Sequence, residues 1–163
     1  MQPLVFLLFV AVINLGVCQE CPQDWLHFQG HCYGYGDTAV SWGNAQAICQ
    51  SQGATLAEIP TLEVNNFLST IARNKRDNCV WLGGNDIFHE GVWEWSSRRN
   101  TFYSFRNWKN GEPNNNNNDE DCLNMFKRHN YFWNDESCNT NCNFICAAVA
   151  NHISPNVELL NSE

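Results

Sequence analysis

Basic residues and long apolar runs are scarce in this chain. Only 9 lysines and arginines stand against 17 aspartates and glutamates, a formal net charge of −8 at pH 7. Nucleic acid and anionic membranes repel such a surface, so neither is an expected partner. After residue 17, no apolar run approaches the roughly 20 residues that a membrane-spanning helix needs. Membrane insertion is therefore not expected beyond the amino terminus.

Signatures of catalysis and of zinc binding are also missing. No Ser-His-Asp set, Cys-His pair or phosphate-binding loop can be recognised. Glu120 and Asp121 are adjacent, whereas glycosidases place two carboxyl groups on opposite sides of the scissile bond. Among the eight cysteines after residue 18, no pair has the Cys-x2-Cys spacing that is common in zinc sites. We expect neither an enzyme nor a zinc protein.

The cysteines and the amino terminus predict an exported protein. The apolar run from Leu4 to Val17 has the length of a signal-peptide core, and cleavage is expected before Gln19. Residues 1–18 are therefore predicted to be a signal peptide, with an uncleaved anchor as the alternative. Eight of the nine cysteines follow it, which indicates a secreted, extracellular, disulfide-stabilised domain. Eight cysteines allow 105 pairings, so their number does not fix the connectivity.

Apolar periodicity predicts two helices followed by short strands. The first helix runs from its N-cap Ser41 to Gln52. The second begins at the N-cap Thr61 and has Leu62 at a core spacing. Short strands are predicted at residues 80–83, 92–95, 123–126, 131–133 and 143–146, with a long packed loop over residues 96–122. This order indicates an α+β domain held by disulfides. Residues 148–163 show no core pattern and are predicted to be a loose tail.

Oxygen-bearing side chains are concentrated between Glu112 and Asp135. Acidic and amide residues stand at both ends of this stretch, which contains almost no sulfur or imidazole ligand. Calcium takes 6–8 oxygen ligands from carboxylates, amide carbonyls and backbone. We therefore predict a calcium site in this stretch.

Five motifs in register give the chain a specific resemblance. They are Trp81-Leu82-Gly83-Gly84, Trp93-Glu94-Trp95, Glu112-Pro113-Asn114, Glu120-Asp121-Cys122 and Trp133-Asn134-Asp135. With these motifs the chain resembles the C-type lectin domain over residues 21–147. The resemblance implies that fold and the disulfides Cys21–Cys32, Cys49–Cys146 and Cys122–Cys138. Cys79 and Cys142 are left over, and they pair either with each other or between chains.

The resemblance also implies the ligands of a sugar-binding calcium ion. On this sequence they are Glu112, Asn114, Glu120, Asn134 and Asp135. Two vicinal hydroxyls of the sugar would replace calcium-bound water, donate to carboxylates and accept from amides. Pro113 matches the family's cis-proline. The Glu-Pro-Asn order implies mannose, N-acetylglucosamine or fucose, whereas Gln-Pro-Asp would imply galactose.

A second calcium ion is implied at neighbouring positions. Its ligands would be Asp86, Glu90, Asn115, Glu120 and Asp121, with Asn115 standing where the family often has aspartate. A monosaccharide at one such edge-on site should bind with a Kd on the order of millimolar, about −4 kcal/mol. Multivalency in a homo-oligomer would then raise the avidity.

Other readings of these residues remain open in the sequence. A protein-, mineral- or ice-binding member of the same fold is the alternative to a lectin. Asp119 is read as a surface charge, and His129 and Tyr131 are assigned to the core or the surface and not to a sugar contact. A part in innate immunity, through glycan recognition, is expected only from the family.

Overall fold

The computed structural model describes residues 18–97, 100–101 and 105–153. It has two α-helices, α1 (Trp42–Ser51) and α2 (Leu62–Lys75). The strands are β1 (Cys18–Glu20), β2 (Leu26–Phe28), β3 (His31–Val40), β4 (Thr55–Leu56), β5 (Cys79–Asn85), β6 (Glu94–Trp95), β7 (Asn100–Thr101), β8 (Cys122–Phe126), β9 (Phe132–Glu136), β10 (Cys142–Val149) and β11 (Asn151–Ile153). Residues 1–17 of the predicted signal peptide lie outside the described residues, as do residues 102–104 of the long loop.

Most strands join one mixed sheet. Its main path is β2-β3-β10-β5-β6-β7, and the β8–β9 hairpin branches from β5 through β8. The pairing of β10 with β3 is antiparallel, and its pairing with β5 is parallel. This arrangement confirms the predicted α+β C-type lectin-like fold. It also places the β8–β9 hairpin on the side of the sheet opposite β2.

Helix α1 packs on the sheet through a narrow apolar face. Trp42, Ala45 and Cys49 are buried, and the Trp42 indole nitrogen donates to the Leu82 carbonyl at 2.8 Å. Ser41 has the extended backbone of an N-cap, but its side chain makes no capping hydrogen bond. The prediction of the N-cap position is therefore correct, although the side chain does not supply the capping bond.

Helix α2 begins as the sequence predicted. The Thr61 hydroxyl accepts a hydrogen bond from the Val64 amide at 3.3 Å, which satisfies one free amide of the first turn. Val64 and Leu68 enter the core. The assignment of Leu62 to the core is wrong: its side chain is 52% exposed because the first residue of the helix faces outward.

The core fixes the hairpin that bears the candidate site. Trp133 of β9 is fully buried, and its indole nitrogen donates to the Asn65 side-chain oxygen at 2.9 Å. Leu123 and Met125 of β8 are fully buried as well. The ring of Trp95 packs edge-on against Trp133, with 6.0 Å between the centroids. These contacts hold β8 and β9 in the core along their length, so the polar residues of the hairpin are attached to rigid strands.

Four disulfides join the eight cysteines from Cys21 to Cys146. The pairs are Cys21–Cys32, Cys49–Cys146, Cys79–Cys142 and Cys122–Cys138. Three of them are those that the family resemblance implied. The remaining two cysteines pair within the chain, which was one of the two alternatives.

The sheet continues past the expected end of the domain at residue 147. Strand β10 reaches Val149, because Ala148 and Val149 pair with Cys32 and His31 of β3. Strand β11 then pairs antiparallel with β1. The prediction of a loose tail is therefore wrong for residues 148–153, where backbone pairing replaces the missing core pattern. Within the described part of the chain, no helix has the length and apolarity to cross a membrane.

Candidate functional site

The β8–β9 hairpin positions Asn134 and Asp135. Register places Asn134 opposite Asn124 and Asp135 opposite Leu123. The Cys122–Cys138 disulfide ties the open end of this hairpin together. Both side chains are buried, with exposed fractions of 7% for Asn134 and 1% for Asp135. A carboxylate buried this deeply requires compensation by hydrogen bonds or by a cation.

Backbone amides of the Glu112-Pro113-Asn114 segment supply part of that compensation. The turn before it closes through the Glu112 amide, which donates to the Lys109 carbonyl at 2.9 Å. The Glu112–Pro113 peptide bond is cis, as the resemblance implied. The amides of Asn114 and Asn115 then both donate to Oδ2 of Asp135, at 2.9 and 2.6 Å. Asp135 thus fixes this loop against β9.

Amide and acid side chains of the loop also bond to one another. The Asn114 side-chain amide donates to the Glu112 carboxylate. The Asn116 backbone amide donates to Glu120 Oε2 at 2.9 Å, and the Glu120 amide donates to Asn115 Oδ1 at 3.2 Å. These bonds bring four of the five predicted sugar-site residues into one network through Asp135 and Asn115. Asn134 precedes Asp135 in β9, and its side-chain amide donates to the Asp135 carbonyl, so Asn134 adjoins the same network.

Burial and neighbouring negative charges raise the pKa values of Glu112 and Glu120. Burial raises the pKa of Glu112, and the charge of Asp135 raises it further. Burial likewise raises the pKa of Glu120, with added repulsion from Asp135, Glu136 and Glu112. Like charges are therefore collected here against their mutual repulsion, an arrangement that a divalent cation would relieve.

The residues of the predicted second calcium site adjoin the first set. Asp86 is 2% exposed, and its Oδ2 accepts the Gly91 amide at 2.8 Å. Burial raises the pKa of Asp86 to about 6, and repulsion from Glu90, Asp121 and Asp135 contributes. The Asn115 side-chain amide donates to the Glu90 carboxylate. Asn115 and Glu120 therefore connect the two predicted sets.

The chemistry of these residues fits a hard cation such as calcium. Oδ1 of Asp86 and Oδ1 of Asp135 are buried without a hydrogen-bond partner among the described residues. Unpaired buried oxygens of this kind are uncommon in native proteins and indicate a missing partner. No group of three or more His, Cys, Asp or Glu side chains in the described ranges is already arranged as a metal cage. Glu112, Glu120 and Asp135 each accept hydrogen bonds from amides of the same loop.

Sequence reasoning overlooked two neighbours of the site. Asp119 is exposed, as predicted, but its Oδ2 accepts the Ser137 hydroxyl at 2.9 Å and so ties the asparagine run to the residue before Cys138. The charge of Lys109 partly opposes the rise in the pKa of Glu112 that burial causes. Its place three residues before the Glu-Pro-Asn motif was the only signal in the sequence.

Three comparisons with known proteins bear on this site. The CD209 antigen of Papio hamadryas is 36% identical over 145 residues, which cover 88% of this chain and 39% of that protein. The carbohydrate-recognition domain of cow CD23, solved in the presence of a GlcNAc2Man3 oligosaccharide, is 30% identical with a TM-score of 0.74; the match covers 82% of this chain and 99% of that one. A calcium-independent type II antifreeze protein is 29% identical with a TM-score of 0.72, over 82% of this chain and 98% of that one.

The chain thus spans well under half the length of the CD209 antigen, while it matches the cow CD23 domain almost end to end. The antifreeze match shows that this fold also serves proteins described by other functions. The family model described as "Lectin C-type domain" matches residues 38–148, which include every predicted calcium ligand. On this match and on the shared fold, the chain belongs to the C-type lectin domain family.

Proposed function

We propose that this protein is a calcium-dependent lectin that binds mannose-type sugars, namely mannose, N-acetylglucosamine and fucose. One observation carries the proposal. Asp135 joins the Glu112-Pro113-Asn114 loop to β9 through one carboxylate oxygen and keeps its other oxygen buried without a partner in the described chain. An acceptor of this kind, surrounded by the carboxylates of Glu112 and Glu120, is suited to a calcium ion.

Five side chains would hold that ion, and they are Glu112, Asn114, Glu120, Asn134 and Asp135. A bound calcium would supply coordination positions for the oxygens of two vicinal hydroxyls. The carboxylates of Glu112 and Glu120 would accept the hydroxyl protons in charge-assisted hydrogen bonds. The amides of Asn114 and Asn134 would donate to the remaining lone pairs. Both amides donate to acidic or carbonyl oxygens of the same network, which supports this assignment.

The order of acid and amide supports the mannose-type preference. Glu112 precedes Asn114, which is the order of acid and amide that the family resemblance links to mannose-type sugars. The cow CD23 domain, whose structure was determined with a mannose-containing oligosaccharide, shares the fold. We propose further that Asp86, Glu90, Asn115, Glu120 and Asp121 hold a second calcium ion that stabilises the loop.

The proposal also covers the domain organisation, localisation and partners of the protein. Residues 1–18 would act as a signal peptide, residues 21–147 as the lectin domain, and the product would be secreted. A single site of millimolar affinity needs multivalency to be useful, which a homo-oligomer would supply by about 10² to 10⁴-fold. The partners would be glycans with terminal mannose-type sugars, in glycan recognition or innate defence. We assign no catalytic step to any residue.

A non-lectin role is the second candidate, favoured by the match to a calcium-independent antifreeze protein. Retention on mannose-agarose in calcium separates the two candidates. The lectin should be retained and should elute with chelator. Flow-through of a protein that still binds calcium would favour a protein-, mineral- or ice-binding role.

An acid–amide exchange tests the ligand assignment itself. The double substitution Glu112→Gln with Asn114→Asp keeps the net charge and should move monosaccharide inhibition from mannose to galactose. The exchange Asn118→Asp with Asp119→Asn, in the same loop but outside the ligand set, is the matched control and should leave mannose preference intact. An unchanged preference in the first variant would refute the assigned ligands.

A further inference from the structure

A concave surface lies beside the candidate calcium site. It has a volume of about 600 Å³ and lies between the segment before Glu112 and the turn of the β8–β9 hairpin. The lining side chains that matter are Trp108, Lys109, Arg128, His129 and Phe132. We call this surface the basic cleft.

The segments that line the basic cleft lead directly into those that bear the predicted sugar site. The Lys109 amide donates to the Trp133 carbonyl at 2.9 Å, and the Lys109 carbonyl accepts the Glu112 amide at 2.9 Å. One wall of the cleft therefore leads into the Glu112-Pro113-Asn114 loop. On the other wall, Phe132 lies two residues before Asn134 in β9, so both side chains lie on the same face of the strand. A ligand longer than one sugar would reach from the site to the cleft along these two segments.

The lining of the cleft departs from the charge of the whole chain. The protein carries a net charge of −8, yet the described residues that line the cleft include Lys109 and Arg128 and no carboxylate. Nδ1 of His129 is buried and has no hydrogen-bond partner within the described ranges. Burial lowers the pKa of His129, and the charge of Lys109 lowers it further, so the neutral ring is favoured. Phe132 is 39% exposed and offers an apolar face.

We propose that the basic cleft binds the second residue of a glycan whose first residue occupies the calcium site, when that second residue carries a carboxylate or a sulfate ester. The inference rests on the proposed function. Arg128 would form paired hydrogen bonds with the anionic group, for which a guanidinium has the matching planar geometry. Lys109 would add a second positive charge. Phe132 would cover the apolar face of the pyranose ring.

Matched disaccharides test the cleft by isothermal titration in calcium. The probes are mannose linked to a uronic acid, mannose linked to a sulfated hexose, and mannose linked to the corresponding neutral hexose. We expect at least one anionic probe to bind about tenfold more tightly than the neutral one, and the better of the two identifies the anionic group. The preference should fall at higher ionic strength because the cleft is open to solvent.

One arginine and one lysine substitution distinguish binding in the cleft from a general effect of positive surface charge. Arg128→Gln should abolish the anionic preference and leave the affinity for free mannose unchanged. Lys127→Gln removes the same charge from the same turn, but the Lys127 ammonium donates to the Arg76 carbonyl at 3.0 Å and does not line the cleft. This control should keep the preference. Phe132→Ala should weaken both types of disaccharide, by about two- to tenfold, without affecting free mannose.

Equal affinities for all three disaccharides would overturn the cleft while leaving the lectin proposal intact. A preference that survives Arg128→Gln, or that Lys127→Gln removes equally, would overturn it as well. If neither free mannose nor any disaccharide binds in calcium, the proposed function itself fails, and the cleft proposal fails with it. The first result concerns only the second sugar, so the two failures are distinguishable.

Discussion

Asp86 carries a charge that the protein without calcium should tolerate poorly. Its side chain is 2% exposed, one oxygen accepts the Gly91 amide, and the other has no partner among the described residues. Burial and the carboxylates of Glu90, Asp121 and Asp135 raise its pKa from 3.8 to about 6. Asn at this position has the same shape and keeps an acceptor for Gly91. Its amide group would also donate toward the surrounding acids.

The magnitude of the effect follows from the pKa of Asp86. A rise from 3.8 to about 6 corresponds to roughly 3 kcal/mol, at 1.36 kcal/mol per pKa unit. Because the folded protein binds this proton more tightly than the unfolded chain, stability in chelator should fall as pH rises from about 4 through 6. At pH 7 the substitution Asp86→Asn should recover much of this energy and raise the Tm in chelator by about 6 to 12 °C.

Thermal unfolding between pH 4.5 and 7.5, in chelator and in calcium, measures both effects. In calcium the order should reverse, because Asn replaces a charged ligand of the proposed second ion by a neutral one. The wild-type protein should therefore gain more in Tm from calcium than the Asn variant does. Asp24→Asn, at an exposed position far from the site in sequence, is the charge-matched control and should change little. A lower Tm of Asp86→Asn in chelator at pH 7 would refute the reasoning.

Two further predictions concern the scaffold. Replacing Cys79 and Cys142 by alanine opens a loop of 63 residues and should lower the free energy of unfolding by about 2 to 4 kcal/mol. Urea denaturation measures this loss, and an unchanged midpoint would contradict it. Gly36→Ala places a methyl group against the Phe144 ring and should destabilise by about 1 to 3 kcal/mol. Gly43→Ala, where the new carbon meets nothing within 4 Å inside a helix, should stabilise by about 0.5 to 1 kcal/mol, so equal effects of the two would be inconsistent with this packing.

The local signals in the sequence were sufficient for most of the fold. Thr61 predicted the start of α2 because its cap depends on residues three positions apart. The strands at residues 80–83 and 123–126 were predictable because short runs rich in apolar residues indicate buried strands. Strand β11 was not predictable, because its pairing with β1 joins the two ends of the described chain and leaves no local pattern. Leu62 shows the converse, since an apolar residue at the start of a helix can face solvent.

The sequence predicted which residues form the candidate site, but not the hydrogen bonds that connect them. The motifs named Glu112, Asn114 and Asp135, but not the two backbone amides that Asp135 Oδ2 accepts. That contact depends on the position of the loop against β9, which is set by tertiary structure. The basic cleft was also not apparent. Lys109 and Arg128 are 19 residues apart in the printed sequence, and only the hairpin brings them together.

The central claim is that the five side chains from Glu112 to Asp135 hold a calcium ion on which the sugar depends. Calorimetric titration of calcium into the purified protein at neutral pH, with Asp135→Asn as the comparison, tests it most directly. The account predicts saturable calcium binding by the wild-type protein, followed by mannose binding only in its presence. Asp135→Asn should bind fewer calcium ions, because the sugar-site ion is lost, and should no longer bind mannose. Mannose binding that persists in chelator, or no heat of calcium binding in the wild-type protein, would contradict it.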